Sequence, residues 1–198
     1  MATFTELCND VYTITKRPDL VDDTKLAVKA ATLKLHQSDF YQKDIFETSI
    51  NFSSLDYIQQ LDVYTLFPRF RALKYFRRYD SSGTGSAKEF FKVLSPVELV
   101  DDYGIDKTNV CYLAGSVLNI RSKTAFDTAL IGLYQNPVID ELTYSSWVAV
   151  GHPYAIVFDA ARLLFKQIGF DEQSAMYEKL VAEQIAEIRA SNILAEGY

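Results

Sequence analysis

Cysteine and histidine each occur only twice in 198 residues, and that scarcity narrows the possible chemistry at the outset. Cys8 and Cys111 show no C-x-x-C spacing, so the chain offers neither a disulfide framework nor a thiolate metal knuckle, and a reducing compartment is the economical reading. His36 and His152 fall in different segments without H-x-x-x-H spacing, which removes the common histidine metal signature. Eight glycines and five prolines are too few for a collagen-like or low-complexity chain. No stretch approaches the ~18 apolar residues of a membrane span. The start, Met1 to Glu6, has no basic n-region or apolar run, so the expectation is a protein made and used in a cytoplasm, away from membranes.

What is present is an ordinary globular balance, 48% hydrophobic and 23% charged, which excludes intrinsic disorder. Aromatics are the exception: 13 Tyr, 13 Phe and one Trp, with Tyr as common as Phe, a mix that suits half-wet packing and interfaces as well as a dry core. The net charge of −6 disfavours nonspecific phosphate binding by the whole surface and leaves room for a local basic patch.

Along the chain, Thr3 is placed to cap a first helix whose Phe4, Leu7, Val11, Tyr12 and Ile14 recur at helical spacing. Pro18 opens a second helix with Leu20, Thr24, Ala27, Val28, Ala31 and Leu35 on its inner face. From about residue 40 to 147 the pattern changes to short runs that predict strands at Ile45–Phe52, Leu73–Tyr79, Phe90–Leu94, Val110–Leu113, Val117–Ile120 and Ala129–Tyr134, with Ala114-Gly115-Ser116 closing a hairpin. Ser95 to Glu98 reads as the start of a short helix. Helices return at His152-Pro153, with Phe158 on the apolar face, and after Gly169 comes a last helix whose apolar stripe runs through Ile188, followed by a frayed apolar tail at Asn192–Tyr198. Each terminal helix pair alone has too little partner surface. The predicted class is therefore α+β: a bundle of N-terminal (1–39) and C-terminal (148–198) helices with a β-rich insertion at 40–147.

No catalytic, cofactor or metal site emerges from the motifs. His36 reads as a cation near the negative pole of the second helix and His152 as a turn residue. The glycine-containing loop Asp80–Lys88 fails the phosphate-loop pattern and reads as a hairpin tip. Asp19/Asp22/Asp23 form a helix start, and Asp101/Asp102/Asp106 lack the full calcium-loop spacing.

The densest basic segment runs from Pro68 to Tyr79, where Arg69, Arg71, Lys74, Arg77 and Arg78 interleave with Phe70, Tyr75, Phe76 and Tyr79. That composition suits single-stranded nucleic acid, by stacking and charge neutralisation. It equally suits an edge strand whose cations meet acidic groups, some of them on another subunit, and the acidic whole leans toward this second reading. Ile193, Leu194 and Tyr198, past the last helix, have no evident partner surface within the chain and are the candidates for a docking segment.

Two stretches carry a resemblance. One is Thr24 to Tyr41, a helix running into the aromatic pair Phe40-Tyr41; the other is Trp147 to Ile188, with Tyr154-Ala155-Ile156-Val157, Ala160-Ala161-Arg162, Phe165, a break at Gly169-Phe170-Asp171 and a Glu/Ala-rich last helix. Together they resemble the head-to-tail adaptor (connector, or tail tubular protein A-like) family of tailed phages. The middle of the chain matches only in being β-rich and of suitable length. The resemblance implies a structural virion protein without catalysis or cofactor, assembled in the host cytoplasm. It implies a self-assembled ring of about twelve copies that joins the portal protein to tail nozzle or tail fibre proteins. DNA would pass through its channel without specific binding. In that setting Ile193, Leu194 and Tyr198 would dock on the portal and Arg69–Arg78 would meet subunits or tail. The alternative is a nucleic-acid- or protein-binding module working through residues 69–79.

Overall fold

The structure, a computed structural model, describes residues 2–78, 89–95, 97–98 and 107–195, with side chains up to Asn192. The chain divides into two compact units, Met1–Asp44 with Asn136–Tyr198, and Ile45–Gln135.

The first unit is helical. α1 (Phe4–Thr15) begins with a reciprocal cap: the Thr3 hydroxyl accepts from the Glu6 N–H at 3.2 Å, and the Glu6 carboxylate accepts from the Thr3 N–H at 2.7 Å. That backbone bond holds the Glu6 carboxyl below its usual range. α2 (Val21–Gln37) buries Ala27, Val28, Ala31 and Leu35, the face its periodicity predicts. After the β unit, α4 (Trp147–Gly151) turns into α5 (Pro153–Gln167), which buries Ile156, Ala160 and Leu164, and α6 (Asp171–Ala195) completes the unit. Alanines at positions 27, 31 and 160 let α2 and α5 approach closely. Asp159 is fully buried between them, its Oδ1 accepting from Lys34 of α2 and Arg162 of α5, both at 2.8 Å. Phe158, expected in the core, is half-buried and stacks with Tyr154 and Tyr177.

The second unit is built on two long strands, β1 (Ile45–Asp62) and β5 (Val117–Gln135), paired antiparallel along their lengths. α3 (Val63–Leu66) follows β1, and then come β2 (Phe70–Arg78), β3 (Phe90–Leu94) and β4 (Val110–Ala114). β2 pairs with β5 at Phe70–Arg78 and β4 pairs with β5 at Val110–Ala114, while β3 joins β2 antiparallel and β4 parallel. The ring β5-β2-β3-β4-β5 is thereby closed, and β1 remains outside it along β5.

Two offset bulges make the closure possible. Between Asn51 and Asp56 β1 advances five residues while β5 advances two; between Asp56 and Ile58 β1 advances two while β5 advances five, from Phe126 to Arg121. Each bulge bends its strand, and together they let the two halves of β5 serve different partners. Gln59, buried at the bend, donates to the carbonyls of Ser54 and Phe126. The barrel core is aromatic: Phe76, Phe91 and Phe126 lie against one another, with Phe76 and Phe91 edge-to-face at 5.3 Å.

These features correct the expected fold. The class is α+β, but four strands close into a barrel, so a helical bundle carrying a β insertion describes it only in part. The physical reason lies in β5. Read as two short strands, residues 117–120 and 129–134 suggest hairpins; as one bent strand they hold the two ends of a ring together. β1 likewise continues ten residues past Phe52. Gly115, at φ +62, makes the tight turn from β4 to β5 as expected. The expected tip at Ser81–Lys88 lies outside the described residues, as do Tyr79 and much of the short helix expected after Ser95.

Gly132 has a specific task. It stands between Glu47 on β1 and Tyr75 on β2, and the Tyr75 ring crosses over it to donate its hydroxyl to the Glu47 carboxylate. A Cβ there would run into that ring. Gly132→Ala is expected to destabilise by about 1–3 kcal/mol as the ring is pushed aside. Gly151→Ala, where a Cβ meets nothing within 4 Å, should change stability by a few tenths at most. Urea denaturation of the two variants checks the contrast.

Candidate functional site

β2 gathers the basic residues singled out in the sequence, and its pairing with β5 fixes where they sit. Arg69, just before the strand, donates to the Gln135 side-chain carbonyl at 3.0 Å. Arg71 is half-exposed. Lys74 is exposed, with its ammonium 5.6 Å from the centre of the Tyr134 ring. The Arg77 guanidinium lies 5.8 Å from the Phe90 ring, which is itself 63% exposed, and Arg78 stands 4.0 Å from the Glu89 carboxylate. The strand carries four cations and no carboxylate, and aromatic rings are the neighbours of two of them. Phe76 alternates inward to the barrel core, and Phe70 is also buried. The aromatic interleaving is therefore shared between core and surface.

The docking candidates fare differently. The backbone of Ile193 and Leu194 belongs to α6, which runs to Ala195, so the first residues of the tail expected at Asn192–Tyr198 continue the helix. Their side chains, and all of Tyr198, lie outside the described residues. α6 is tied to the chain near its end: Asn192 accepts from the Gln42 N–H at 3.2 Å, and Arg189 donates to the Ser38 carbonyl at 2.7 Å.

Sequence reasoning missed a buried constellation. His36, at the end of α2, has Nδ1 2.6 Å from Asp44 Oδ1 and Nε2 2.8 Å from Ser146 Oγ. The same Asp44 oxygen accepts from the Trp147 indole N–H at 2.7 Å. A carboxylate only accepts, so Nδ1 carries the hydrogen toward Asp44. The order Asp–His–Ser is that of a nucleophilic triad. Here, however, all three side chains are buried, the Ser146 oxygen already accepts the Ala149 N–H as the cap of α4, and Trp147 packs edge-on against both His36 and Tyr41. The arrangement acts as a clasp, holding the end of α2, the turn at Gln42–Asp44 and the start of α4 together. His36, read from the sequence as a group near the negative pole of α2, does stand in the last turn of that helix, where it is also a buried hydrogen-bonding hub. Its partners lie 8 and 110 residues away, so no local pattern announces them.

Among the described residues no three His, Cys, Asp or Glu side chains converge in a way that would hold a metal. A shallow pocket of about 170 Å³ is lined by Ala2, Phe4, Glu141 and Tyr144, below the ~300 Å³ at which ligand sites begin. Glu141 beside it is paired with Lys29 and Lys25, both at 2.9 Å, and its carboxyl is held below the usual range by them.

Both thiols are buried, and burial pushes Cys8 up to about 11 and Cys111 up to about 12. Neither should react with an aromatic disulfide reagent at about pH 8 until the chain is unfolded, when both should react at once. Because the folded values lie above the unfolded ones, the stability that goes with the neutral thiols is intact below about pH 9 and is lost as pH rises toward 12.

Compared with models of known families and with curated proteins, the sequence matches none.

Proposed function

We propose that the chain is a structural virion protein, a head-to-tail adaptor subunit that assembles as a ring of about twelve copies between portal and tail. No catalytic residue or cofactor is assigned to it. The observation that carries this reading is the distribution of charge. The chain is acidic overall, at −6, yet collects four cations on one strand, three of which, Lys74, Arg77 and Arg78, have their heads against rings or a carboxylate. An acidic channel wall repels phosphate and lets DNA pass, while a confined basic patch serves contacts with protein. Electron microscopy of the purified chain with candidate portal proteins is expected to show rings seated on portal. Small separate particles with every portal offered would overturn the reading.

Ile193, Leu194 and Tyr198 are the proposed portal contacts. Truncation after Asn192 keeps the Gln42 hydrogen bond and should leave the melting temperature within a few degrees while weakening portal binding at least tenfold. Full affinity in the truncated chain would remove the tail from consideration.

One observation favours a second reading, a module that binds single-stranded nucleic acid. Arg77 over the exposed Phe90 ring pairs a cation with a stacking surface. Tight retention of single strands that falls steeply with salt and is lost in Arg77→Ala would support the module over the adaptor.

A further inference from the structure

β1 occupies one edge of β5 for its whole length, and among the described residues no strand takes its other edge. An 18-residue edge is long against a usual strand of about five or six. Such edges are ordinarily blunted by Lys or Pro, and β1 contains no Lys, Arg or Pro. Its charges are Glu47, Asp56 and Asp62, all negative. At its bulge it presents Leu55, Tyr57 and Ile58, each more than half exposed.

β2 is the electrostatic counterpart. It flanks β5 from the opposite edge, carries Arg71, Lys74, Arg77 and Arg78 without a carboxylate, and among the described residues is registered with β3 at Phe76 and Arg77 and not along Phe70–Tyr75. We propose that the outer edge of β1 in one copy of the chain seats against the basic β2 stretch, Phe70–Tyr75, of a second copy.

Three arguments select a second copy as the occupant. The donor is purely acidic and the receiver purely basic, so one chain carries both halves of the contact. Two β1 edges set against each other would bring carboxylates together, which disfavours a symmetric pair. The two patches also lie on opposite sides of the same central strand. The contact is therefore head-to-tail, leaves a free β1 and a free β2 at the ends of every short oligomer, and propagates until a ring closes. This deepens the ring reading above and draws its biological sense from it.

The test uses the full chain with Ser49→Cys on β1, Pro68→Cys just before β2, and both together, which keeps every cation of the receiving stretch. Each site is exposed, and the native thiols are buried. A short bismaleimide should convert the double variant into a ladder of dimers, trimers and higher species, several-fold above wild type. Each single variant should stay monomeric, and an equal mixture of the two should stop at dimers. High salt should reduce the yield of each product. Abundant dimer from Ser49→Cys alone would overturn the proposal in favour of a symmetric edge. A double variant without a ladder would overturn it as well. If that sample still forms rings on portal, the adaptor reading stands and the subunit contact lies elsewhere. A ladder from a chain that never forms rings on any portal supports the contact and counts against the adaptor.

Discussion

Asp44→Ala is expected to lower the stability of the helical unit by about 3–5 kcal/mol, the range for removing one partner from a buried charged hydrogen-bonded pair. A single oxygen of Asp44 accepts from both the His36 ring and the Trp147 indole. His36 and Asp44 are each about 2% exposed, so water cannot replace what is removed. Alanine would remove in one step the acceptor of the buried His36 ring and of the partly buried Trp147 indole. Asp44→Asn keeps an acceptor oxygen and should cost about 1–2 kcal/mol. Trp147 is the only tryptophan in the chain and stands in the clasp, so its fluorescence during chemical denaturation reports directly on the event. A loss under about 1 kcal/mol in Asp44→Ala would show that the clasp is not what holds α2 to α4.

What could be read in advance divides along a physical line. The helices of the first unit were legible because their apolar residues recur at a period set by the helix itself: Leu7 and Val11 in α1, Val28, Ala31 and Leu35 in α2, Ile156, Ala160 and Leu164 in α5. The barrel was not, because the decisive feature is a change of period. In β5 the inward positions are even at Leu118, Ile120, Ser122 and Phe126 and odd at Ala129, Ile131 and Leu133. A strand that changes parity looks like two strands in sequence, and the ring cannot be drawn from two separate pieces.

The same distinction applies to the sites. The basic segment was visible as composition, and its residues do fall on one strand. Which of them meet rings, carboxylates or solvent depends on β5 and β3 and was out of reach. The clasp was hidden more completely. Its four members come from positions 36, 44, 146 and 147, joined only when the chain returns from a unit of its own. The free edge of β1 was hidden too, since an edge is defined by what fails to pair with it.

Phe76→Ala tests whether the barrel depends on its aromatic centre as the clasp does on Asp44. Phe76 has no exposed surface; its ring meets Phe91 at 5.3 Å and Phe126 at 6.3 Å, and its backbone pairs with Ile131 of β5 on one side and Phe91 of β3 on the other. Among the described residues Phe76 with Phe91 and Arg77 with Phe90 register β2 against β3, and the Arg78 N–H reaches the Glu89 carbonyl beyond them, so this side chain sits at the closing seam. Removing a buried phenyl group costs about 3–5 kcal/mol through lost transfer energy and the cavity left behind, a large share of the ~5–15 kcal/mol that holds a domain. The loss should be local. Amides of β2 and β3 should exchange with solvent at least a hundredfold faster, because exchange from the barrel follows its own opening free energy. Trp147 fluorescence, which reports on the other core, should shift its midpoint by much less than it does in Asp44→Ala. The expectation rests on the contact of three rings, Phe76, Phe91 and Phe126, in a core whose other buried members are mostly aliphatic. Protection in β2 and β3 that survives the substitution would mean that backbone pairing alone closes the barrel and that Phe76 merely fills it.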